Sequence, residues 1–436
     1  MDSRWCVLCA SAFFLLLTVR TFASSPSQRL QKSGSVLEPS DEHLRRFQIT
    51  DGEERKDLVL VTYIFGVSRY LDASFPLFVK SVAGCGVDVV IVGAPPPPRN
   101  ISILFPENLH HYHLEWARMV GILEFVYNQG LPFQSLRGVQ GQRRGEKDGF
   151  GTFFKVVDVK PLAPVVVSNV IDAYKWWGFI DNDMWLGDIR GKILPLIARD
   201  DVDFYGIKEY VNAWGTHTGP SFGAFTLTRS EPKVTYNLLL TPHAIGVIRK
   251  ILDTASPQCF SEWGNPGFNC MGYEYSYSGL AKRAARRGHV RVAGSYGVKR
   301  PHHVAMVWDS PDECHPPHFP NATAEDPNYV TVNRKHYPAK VRNCSLSPMS
   351  RRPKALYKTC IMKQTNTNGS AIKTHLLVSN CKGKTYPVAY CHFEFGKFHP
   401  SMKRPRSNEA MLRLFRAPVV ARSFECGAFV PPQGWV

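Results

Sequence analysis

The chain of 436 residues is poor in acidic residues, in long apolar runs and in repeated segments. Asp and Glu number 36 against 53 Lys and Arg, which leaves a formal net charge of +17. After residues 5–19 no second apolar stretch approaches the roughly 20 residues of a membrane span, which excludes a protein with several spans. No period recurs along the chain, so a repeat architecture is excluded as well. With 44% hydrophobic and 12% aromatic residues, the sequence predicts a globular protein.

Acids are scarcest in the last quarter of the chain. From Thr331 to the end, 19 Lys or Arg residues stand against three acids. Such a basic segment attracts phosphate groups, sulfated or uronic glycans or an anionic membrane surface, and a solvated basic surface is the plain alternative. The aromatic and basic recognition motifs of nucleic-acid-binding proteins are missing, so we expect no nucleic-acid partner.

The longest apolar run lies at the amino terminus. It spans Trp5–Val19, follows Arg4 and precedes Thr21–Ala23, which resembles a small-residue cleavage site. Residues 1–23 therefore predict either a signal peptide or a type II membrane anchor, and both deliver the remainder to the secretory lumen, with the Golgi as the expected location. Residues 24–55 are polar and predict a stem or linker. Four glycosylation sequons agree with a lumenal location, at Asn100, Asn321, Asn343 and Asn368.

Cysteine spacing excludes a zinc ribbon. Two of the eleven cysteines lie in the leader, and the odd number that remains leaves at least one free thiol or intermolecular bond. In an oxidising compartment, disulfides are the better prediction. One disulfide would close the Gly-, Pro- and Asn-rich loop between Cys259 and Cys270. Five further cysteines predict a disulfide-bearing C-terminal extension: Cys344, Cys360, Cys381, Cys391 and Cys426.

Apolar runs alternate with helical patterns and predict an α/β fold. Residues 58–64 read as a buried strand, residues 71–83 as a helix and residues 87–92 as a second strand, which together form a βαβ unit with parallel strands. Further patterns predict helices at 115–127 and 165–173 and strands at 176–180 and 221–227. Beyond Pro301 the strongest of the short apolar runs covers residues 386–395. We expect one α/β domain over residues 56–400 and a basic tail over residues 401–436.

The most informative motif is Asp181-Asn182-Asp183, which follows the aromatic strand at 176–180. If the strand continues through the motif, side chains alternate and both aspartates project to the same side. Two carboxylates at the carboxyl end of a strand suit a hard divalent cation that clamps a diphosphate. The EF-hand alternative fails because Trp185 occupies the third ligand position and the turn glycine is missing. A structural Asx turn remains the alternative.

The motif and its flanks resemble the DxD-type glycosyltransferases of the GT-A fold. They are most similar to an uncharacterised glycosyltransferase-like family with a KxxDxKP segment ahead of a WGxxDxDxxxGD segment. The first segment corresponds here to Lys155, Asp158, Lys160 and Pro161, and the second to Trp177, Gly178, Asp181, Asp183, Gly187 and Asp188. The resemblance extends over three or four patches between residues 58 and 397. It implies a mixed sheet flanked by helices.

The resemblance also implies roles for individual residues. Asp181 and Asp183 would hold Mn²⁺, or Mg²⁺, against the two phosphates of a nucleotide-sugar. Lys155 and Lys160 would be additional cations or would order the loop near the donor, and the alternative is a surface pair around a buried Asp158.

Later residues complete the site that the resemblance implies. His392 would be a third metal ligand, or else a core histidine. Gly396 and Lys397 lie where related enzymes bind the diphosphate, although Lys397 follows the glycine directly and the usual Pro-Trp is missing. Glu262 and Glu274 are candidates for the acceptor-side base, with solvated surface acids as the alternative.

The end of the first strand is the expected nucleotide contact. There Thr62 and Tyr63 would meet the base, with Tyr63 stacking on uracil, unless its ring fills the core. The sequence thus predicts a lumenal, metal-dependent hexosyltransferase that uses a nucleotide-diphospho-sugar, with UDP as the expected nucleotide. The acceptor would be a hydroxyl of a glycan or glycoprotein, including acidic ones. A secreted glycan-binding pseudoenzyme is the first alternative. A metal-dependent phosphoester hydrolase ranks last, because it would need a second set of carboxylates.

Overall fold

The computed structural model describes residues 54–66, 70, 74–138, 156–182, 184–198, 202–209, 222–254, 276–300, 303–307, 319–322, 357–367, 370–380, 385–392, 420–423 and 429–430. Its strands are β1 (Lys56–Tyr63), β2 (Asp88–Gly93), β3 (Leu109–His113), β4 (Tyr174–Phe179), β5 (Met184–Leu186), β6 (Phe204–Glu209), β7 (Phe222–Arg229), β8 (Val292–Arg300), β9 (His303–Val307), β10 (Phe319–Ala322), β11 (Tyr357–Thr367), β12 (Ser370–Asn380), β13 (Thr385–His392), β14 (Val420–Ser423) and β15 (Phe429–Val430).

The helices are mostly short. They are α1 (Ser74–Ala83), α2 (Arg99–Ser102), α3 (Trp116–Asn128), α4 (Gln134–Gly138), α5 (Ala163–Val166), α6 (Ser168–Ile171), α7 (Ile189–Lys192), α8 (Leu194–Ile197), α9 (Pro232–Thr235), α10 (Pro242–Asp253) and α11 (Tyr277–Arg286). A 3₁₀ turn covers Lys160–Leu162 and a π-helical turn covers Tyr236–Leu240. In the part of the chain that the structure describes, no helix is long and apolar enough to cross a membrane.

The sheet is mixed, and its first half is organised around β1. The strand order is β8-β6-β7-β4-β1-β2-β3, in which β4, β1, β2 and β3 run parallel and β7 runs antiparallel to both β4 and β6. Beyond β8 the order continues β9-β13-β12-β11-β14-β15 with antiparallel pairings. The predicted class, an α/β fold with a mixed sheet flanked by helices, is confirmed.

Both faces of the parallel half are covered, which explains its uninterrupted apolar strands. Because side chains alternate along β1, Val59 and Val61 enter a core cluster with α3, α10 and α11, whereas Leu58 and Leu60 enter a second cluster with α1. Burying a single such side chain stabilises the fold by about 1.5–3 kcal/mol. The sheet is therefore a rigid platform for the residues at its edges.

Two predicted elements differ in detail from the observed ones. The helix predicted at 165–173 is interrupted at Val167, whose φ of −133° and ψ of 45° separate α5 from α6. The β-branched run Val165–Val167 disfavours a continuous helix, which accounts for the break. The strand predicted at 176–180 ends at Phe179, one residue earlier than expected.

A polar cluster lies at the amino edge of the parallel strands. Asp88 accepts hydrogen bonds from Lys56 Nζ at 2.9 Å and from Tyr174 Oη at 2.7 Å, and His110 Nε2 lies 3.8 Å from its other oxygen. Burial acts to raise the pKa of the Asp88 carboxyl, but the hydrogen bonds from His110, Tyr174 and Lys56 outweigh it and hold the pKa below its usual range. This cluster ties the starts of β1, β2 and β4 together.

Candidate functional site

The candidate site lies at the opposite edge, where the four parallel strands end. This carboxyl edge brings together Ile64–Gly66 after β1, Ala94 after β2, Leu114 after β3 and Ile180–Asp181 after β4. In open α/β sheets, ligands bind in the crevice beyond this edge. A ligand site in this fold is therefore expected at this edge.

Close backbone approach shapes this edge between β1 and β2. Ile64 N donates to Val92 O at 2.9 Å, and Gly66 N donates to Ala94 O at 3.0 Å. Gly93 has a φ of +155°, and a Cβ at this position would collide with the backbone oxygen of Ile64. Only glycine fits such an approach without strain. The ends of β1 and β2 are thereby held close together at the carboxyl edge.

Asp181 follows β4 in a turn and is not part of the strand. Met184 N donates to Asp181 O at 3.3 Å, and β5 begins at Met184. Because β4 ends at Phe179, the alternation of side chains along β4 does not extend to Asp181, and the expectation that strand geometry orients this residue is wrong. Asp183 itself lies outside the described residues. Asp181 is 9% exposed, so its carboxylate sits at the rim of the core.

Lys160 reaches Asp181 from the 3₁₀ turn and forms an ion pair with its carboxylate. Both residues are buried, as is Asp158. A surface pair of lysines is thus wrong for Lys160, because its ammonium is enclosed against the carboxyl edge. Lys155 lies outside the described residues. The structure links one residue of the KxxDxKP segment directly to one residue of the Asp-Asn-Asp motif.

The pairing of β13 with β5 brings His392 to the same edge. In the pairing of β13 with β5, His392 lies opposite Met184, one residue after Asp183. On its other side, β13 pairs with β9, where His392 lies opposite Val304. Two segments roughly 200 residues apart in sequence therefore meet beside the motif. Gly396, Lys397, Glu262 and Glu274 lie outside the described residues.

Thr62 and Tyr63 do not line an open surface. Thr62 is 1% exposed and Tyr63 is 5% exposed, and the Tyr63 ring packs in the core cluster with Val61 and Trp116. Burial raises the pKa of the Tyr63 hydroxyl. A base cannot stack on a ring enclosed in this way, so the structure favours the alternative that Tyr63 fills the core.

Phe65 is a residue that the sequence argument missed. It is half-buried just beyond β1 at the carboxyl edge, and its ring lies 6.4 Å from that of Tyr63 and 5.1 Å from that of Trp116. The period-2 pattern of β1 contained the signal, because Phe65 is two residues after Tyr63 and leans to the same face. A partly exposed aromatic ring at this position suits base stacking.

Histidines on β3 add polar groups to the same edge. His113 Nε2 lies 3.3 Å from Glu115 Oε1, and the rings of His111 and His113 are 6.4 Å apart. Within the described ranges, no three His, Cys, Asp or Glu side chains are grouped so that they could hold a metal ion. The three residues expected to bind metal are Asp181, Asp183 and His392, and only Asp181 has a described side chain.

No protein-family model matches the chain, and no curated protein sequence matches it. Solved structures similar to it include the galactosyltransferase LgtC in complex with donor and acceptor sugar analogues, at 11% identity and a TM-score of 0.23; the match covers 40% of this chain and 58% of LgtC. Mouse xyloside xylosyltransferase 1 is 10% identical with a TM-score of 0.27, over 45% of this chain and 76% of the other.

A third similar structure is glucosyl-3-phosphoglycerate synthase from Mycobacterium tuberculosis in complex with Mn²⁺, UDP and glucosyl-3-phosphoglycerate. It is 10% identical with a TM-score of 0.27, over 62% of this chain and 80% of the other. The chain spans little more than half the length of LgtC. At identities of 10–11% and TM-scores below 0.3, these similarities show neither the family nor the activity of this chain.

Proposed function

We propose that the chain is a metal-dependent glycosyltransferase that moves a hexose from a nucleotide-diphospho-sugar to a hydroxyl of a glycan or glycoprotein in the secretory lumen. The observation that carries the proposal is the meeting of two distant segments at the carboxyl edge. Asp181 follows β4 at this edge, and the β5–β13 register brings His392 level with Met184. The motif resemblance supports the same reading, with UDP as the expected nucleotide and the Golgi as the expected location.

The donor atoms suit a divalent cation. Asp181, Asp183 and His392 would supply carboxylate and imidazole ligands, a combination that fits Mn²⁺ better than Mg²⁺. Such an ion, when bound, would offset the negative charge that develops on the departing diphosphate. Lys160 keeps a second positive charge beside Asp181, and an ammonium group at this place suits a phosphate oxygen of the donor. Phe65 is the residue we propose for contact with the base.

The proposal is tested by ligand binding before activity. Thermal shifts with a panel of UDP- and GDP-sugars, with and without Mn²⁺, should show stabilisation that requires both the nucleotide and the metal. Asp183→Ala should abolish the metal-dependent shift and UDP-sugar hydrolysis while the far-UV spectrum stays unchanged. Asp253→Ala, an exposed carboxylate at the end of α10, is the matched control and should behave like the wild type. Unchanged hydrolysis in Asp183→Ala would refute the proposal.

A glycan-binding pseudoenzyme is the second candidate, and the Lys160–Asp181 ion pair favours it. A carboxylate that is already neutralised by an ammonium group needs no metal ion for its charge balance. The two candidates differ in nucleotide binding. Affinity for an acidic glycan without any Mn²⁺-dependent binding of UDP-sugars would favour the pseudoenzyme.

A further inference from the structure

Asn100 lies in α2, a single helical turn within the connection between β2 and β3. Backbone hydrogen bonds fix this turn, since Ile101 N and Ser102 N both donate to Pro98 O, at 2.8 Å and 2.9 Å. The Ile101 side chain anchors the turn, because it is buried in the core cluster that α1 covers. The remaining side chains of the turn are therefore directed to its flanks and its outer side.

The exposure of these side chains follows the helical geometry. Successive residues of a helix are about 100° apart, so the neighbours of the buried Ile101 lie on the two flanks of the turn. Those neighbours, Asn100 and Ser102, are half-buried, whereas Arg99 and Ile103 face outward and are exposed. The Asn100 amide thus lies at the border between the protein surface and solvent, where a substituent on its nitrogen can extend outward.

The Asn100 side chain has no structural task in the part of the chain that the structure describes, where it forms no hydrogen bond. Asn108, in the same connection, shows the contrast. Its Nδ2 donates to Val82 O and to Val87 O, both at 2.8 Å. A bulky substituent on Asn108 would cost these hydrogen bonds, whereas Asn100 can carry one without such a loss.

An apolar side chain lies beside the Asn100 amide. Ile103 is 72% exposed, and its backbone N–H donates to Arg99 O at 3.2 Å, so the helical turn extends to this residue. Residues three apart on a helix are neighbours on its surface, which places Ile103 next to Asn100. A lone exposed isoleucine is ordinary, but here it offers an apolar surface to a sugar ring attached to Asn100.

The sequence makes Asn100 an acceptor for such a sugar. It begins the sequon Asn100-Ile101-Ser102, whose middle residue is not proline. We propose that Asn100 carries an N-linked oligosaccharide. This inference rests on the lumenal location within the proposed function, but it does not depend on transferase activity. The side chains of the other sequons lie outside the described residues: Asn321, Asn343 and Asn368.

The modification is a group transfer from an oligosaccharide carried on a lipid diphosphate. Asn100 Nδ2 forms a bond to C1 of the first sugar, and the bond between C1 and the diphosphate oxygen breaks. The lipid diphosphate leaves with the electron pair, and one amide proton passes to a base of the transferring enzyme. Because the amide retains its second proton and its oxygen, the product is a neutral N-glycosidic amide.

The attached oligosaccharide would lie away from the proposed nucleotide contact. Ile101 anchors α2 in the core cluster on the α1 side of the sheet, whereas Phe65 packs against the cluster on the other side. Glycosylation at Asn100 is therefore compatible with donor binding, and loss of the glycan should leave the binding of UDP-sugars unchanged.

The experiment produces the full chain with its own leader in cultured animal cells and treats it with peptide N-glycosidase in water labelled with heavy oxygen. This enzyme converts a glycosylated asparagine to a labelled aspartate, and peptide mass spectrometry should find the label at position 100. Asn100→Gln and Ser102→Ala should each remove one glycan from the intact mass. Ser102→Thr preserves the sequon and is the matched control, which should keep the glycan.

The same variants made in bacteria provide the control for folding. Ser102 Oγ donates to Arg99 O at 3.1 Å in an exposed hydrogen bond, so Ser102→Ala should unfold at nearly the wild-type temperature. The label at position 100 of the wild-type chain does not depend on the folding of any variant, so it decides the proposal directly.

The outcomes separate this inference from the proposed function. A label at Asn321, Asn343 or Asn368 without one at Asn100 would overturn the inference and leave the lumenal location supported. A chain without any labelled sequon would overturn the inference together with the lumenal location. A label at Asn100 in a chain that binds no UDP-sugar would uphold the inference while the transferase proposal fails.

Discussion

The ammonium group of Lys160 contacts the carboxylate of Asp181, so a buried positive charge already lies at the point where the metal ligands were predicted. The lysine comes from a 3₁₀ turn that precedes β4, and the aspartate comes from the turn that follows it. A divalent ion at Asp181 would therefore bind beside an existing cation. The affinity of Asp181 for a metal ion would therefore be lowered by repulsion between the ion and the Lys160 ammonium group.

Replacing Lys160 by Met should destabilise the protein by about 3–5 kcal/mol, because it removes the cation beside a buried carboxylate. Mn²⁺ should restore part of that loss if Asp181 is a metal ligand, since the ion then takes over the positive charge. Urea unfolding with and without Mn²⁺ measures both effects. Lys175→Met is the control: its ion pair with Glu54 is exposed and screened by solvent, so its loss should leave the unfolding free energy almost unchanged. Metal-independent stability of the Lys160 variant would exclude Asp181 as a ligand.

Tyr63→Phe and Tyr174→Phe each remove a phenolic oxygen, but we expect different effects on stability. The Tyr63 hydroxyl is buried and makes no hydrogen bond within the described residues, so its loss should leave stability unchanged or raise it slightly. The Tyr174 hydroxyl donates to Asp88 at 2.7 Å, and its loss should cost about 1.5–3 kcal/mol. Thermal unfolding measures both. Weaker nucleotide binding by Tyr63→Phe would instead indicate that Tyr63 contacts the nucleotide.

Gly93→Ala should be strongly destabilising, by more than about 2 kcal/mol, because the new Cβ meets the backbone of Ile64 and the φ of +155° disfavours a side chain. Gly246→Ala provides the contrast. Gly246 lies inside α10 with open space around the new Cβ, so the helix should gain about 1 kcal/mol. Denaturant midpoints compare the two. A tolerated alanine at position 93 would show that the β1 and β2 ends can separate.

The Asp88 cluster should make stability depend on pH on the acid side. The folded pKa of Asp88 lies below its unfolded value, so its contribution is present above the unfolded pKa of about 3.9 and is lost as the pH falls toward the folded pKa. Asp88→Asn should therefore cost about 1–3 kcal/mol at neutral pH and progressively less below pH of about 4. Unfolding free energies across this range test the prediction. A difference that is independent of pH would contradict it.

The parallel half of the sheet was readable from sequence because its strands are buried on both faces and so appear as unbroken apolar runs. β1, β2 and α3 each lie within a few residues of the predicted ranges. The position of Asp181 just beyond β4 was also predictable, because this residue directly follows such a run. The orientation of Asp181 was not predicted correctly, because β4 ends at Phe179 and a turn follows. The two-residue periodicity of a strand says nothing about the geometry of a turn.

Long-range relationships were beyond sequence patterns. The contact between Lys160 and Asp181 depends on the path of the chain through α5 and α6, which brings the two residues together. The burial of Tyr63 likewise depends on α3, whose Trp116 packs in the same cluster. Local propensity describes neither, since both arise from packing between separate elements.

The pairing of β13 with β5 has a consequence for synthesis on the ribosome. Because a nascent chain emerges from its amino terminus, the parallel strands can associate long before His392 has been translated. The platform should therefore form first and the proposed metal-binding edge last. A chain that ends before Thr385 should therefore still form the parallel strands β1 to β4 but lack affinity for Mn²⁺. Such an incomplete chain should have no transferase activity.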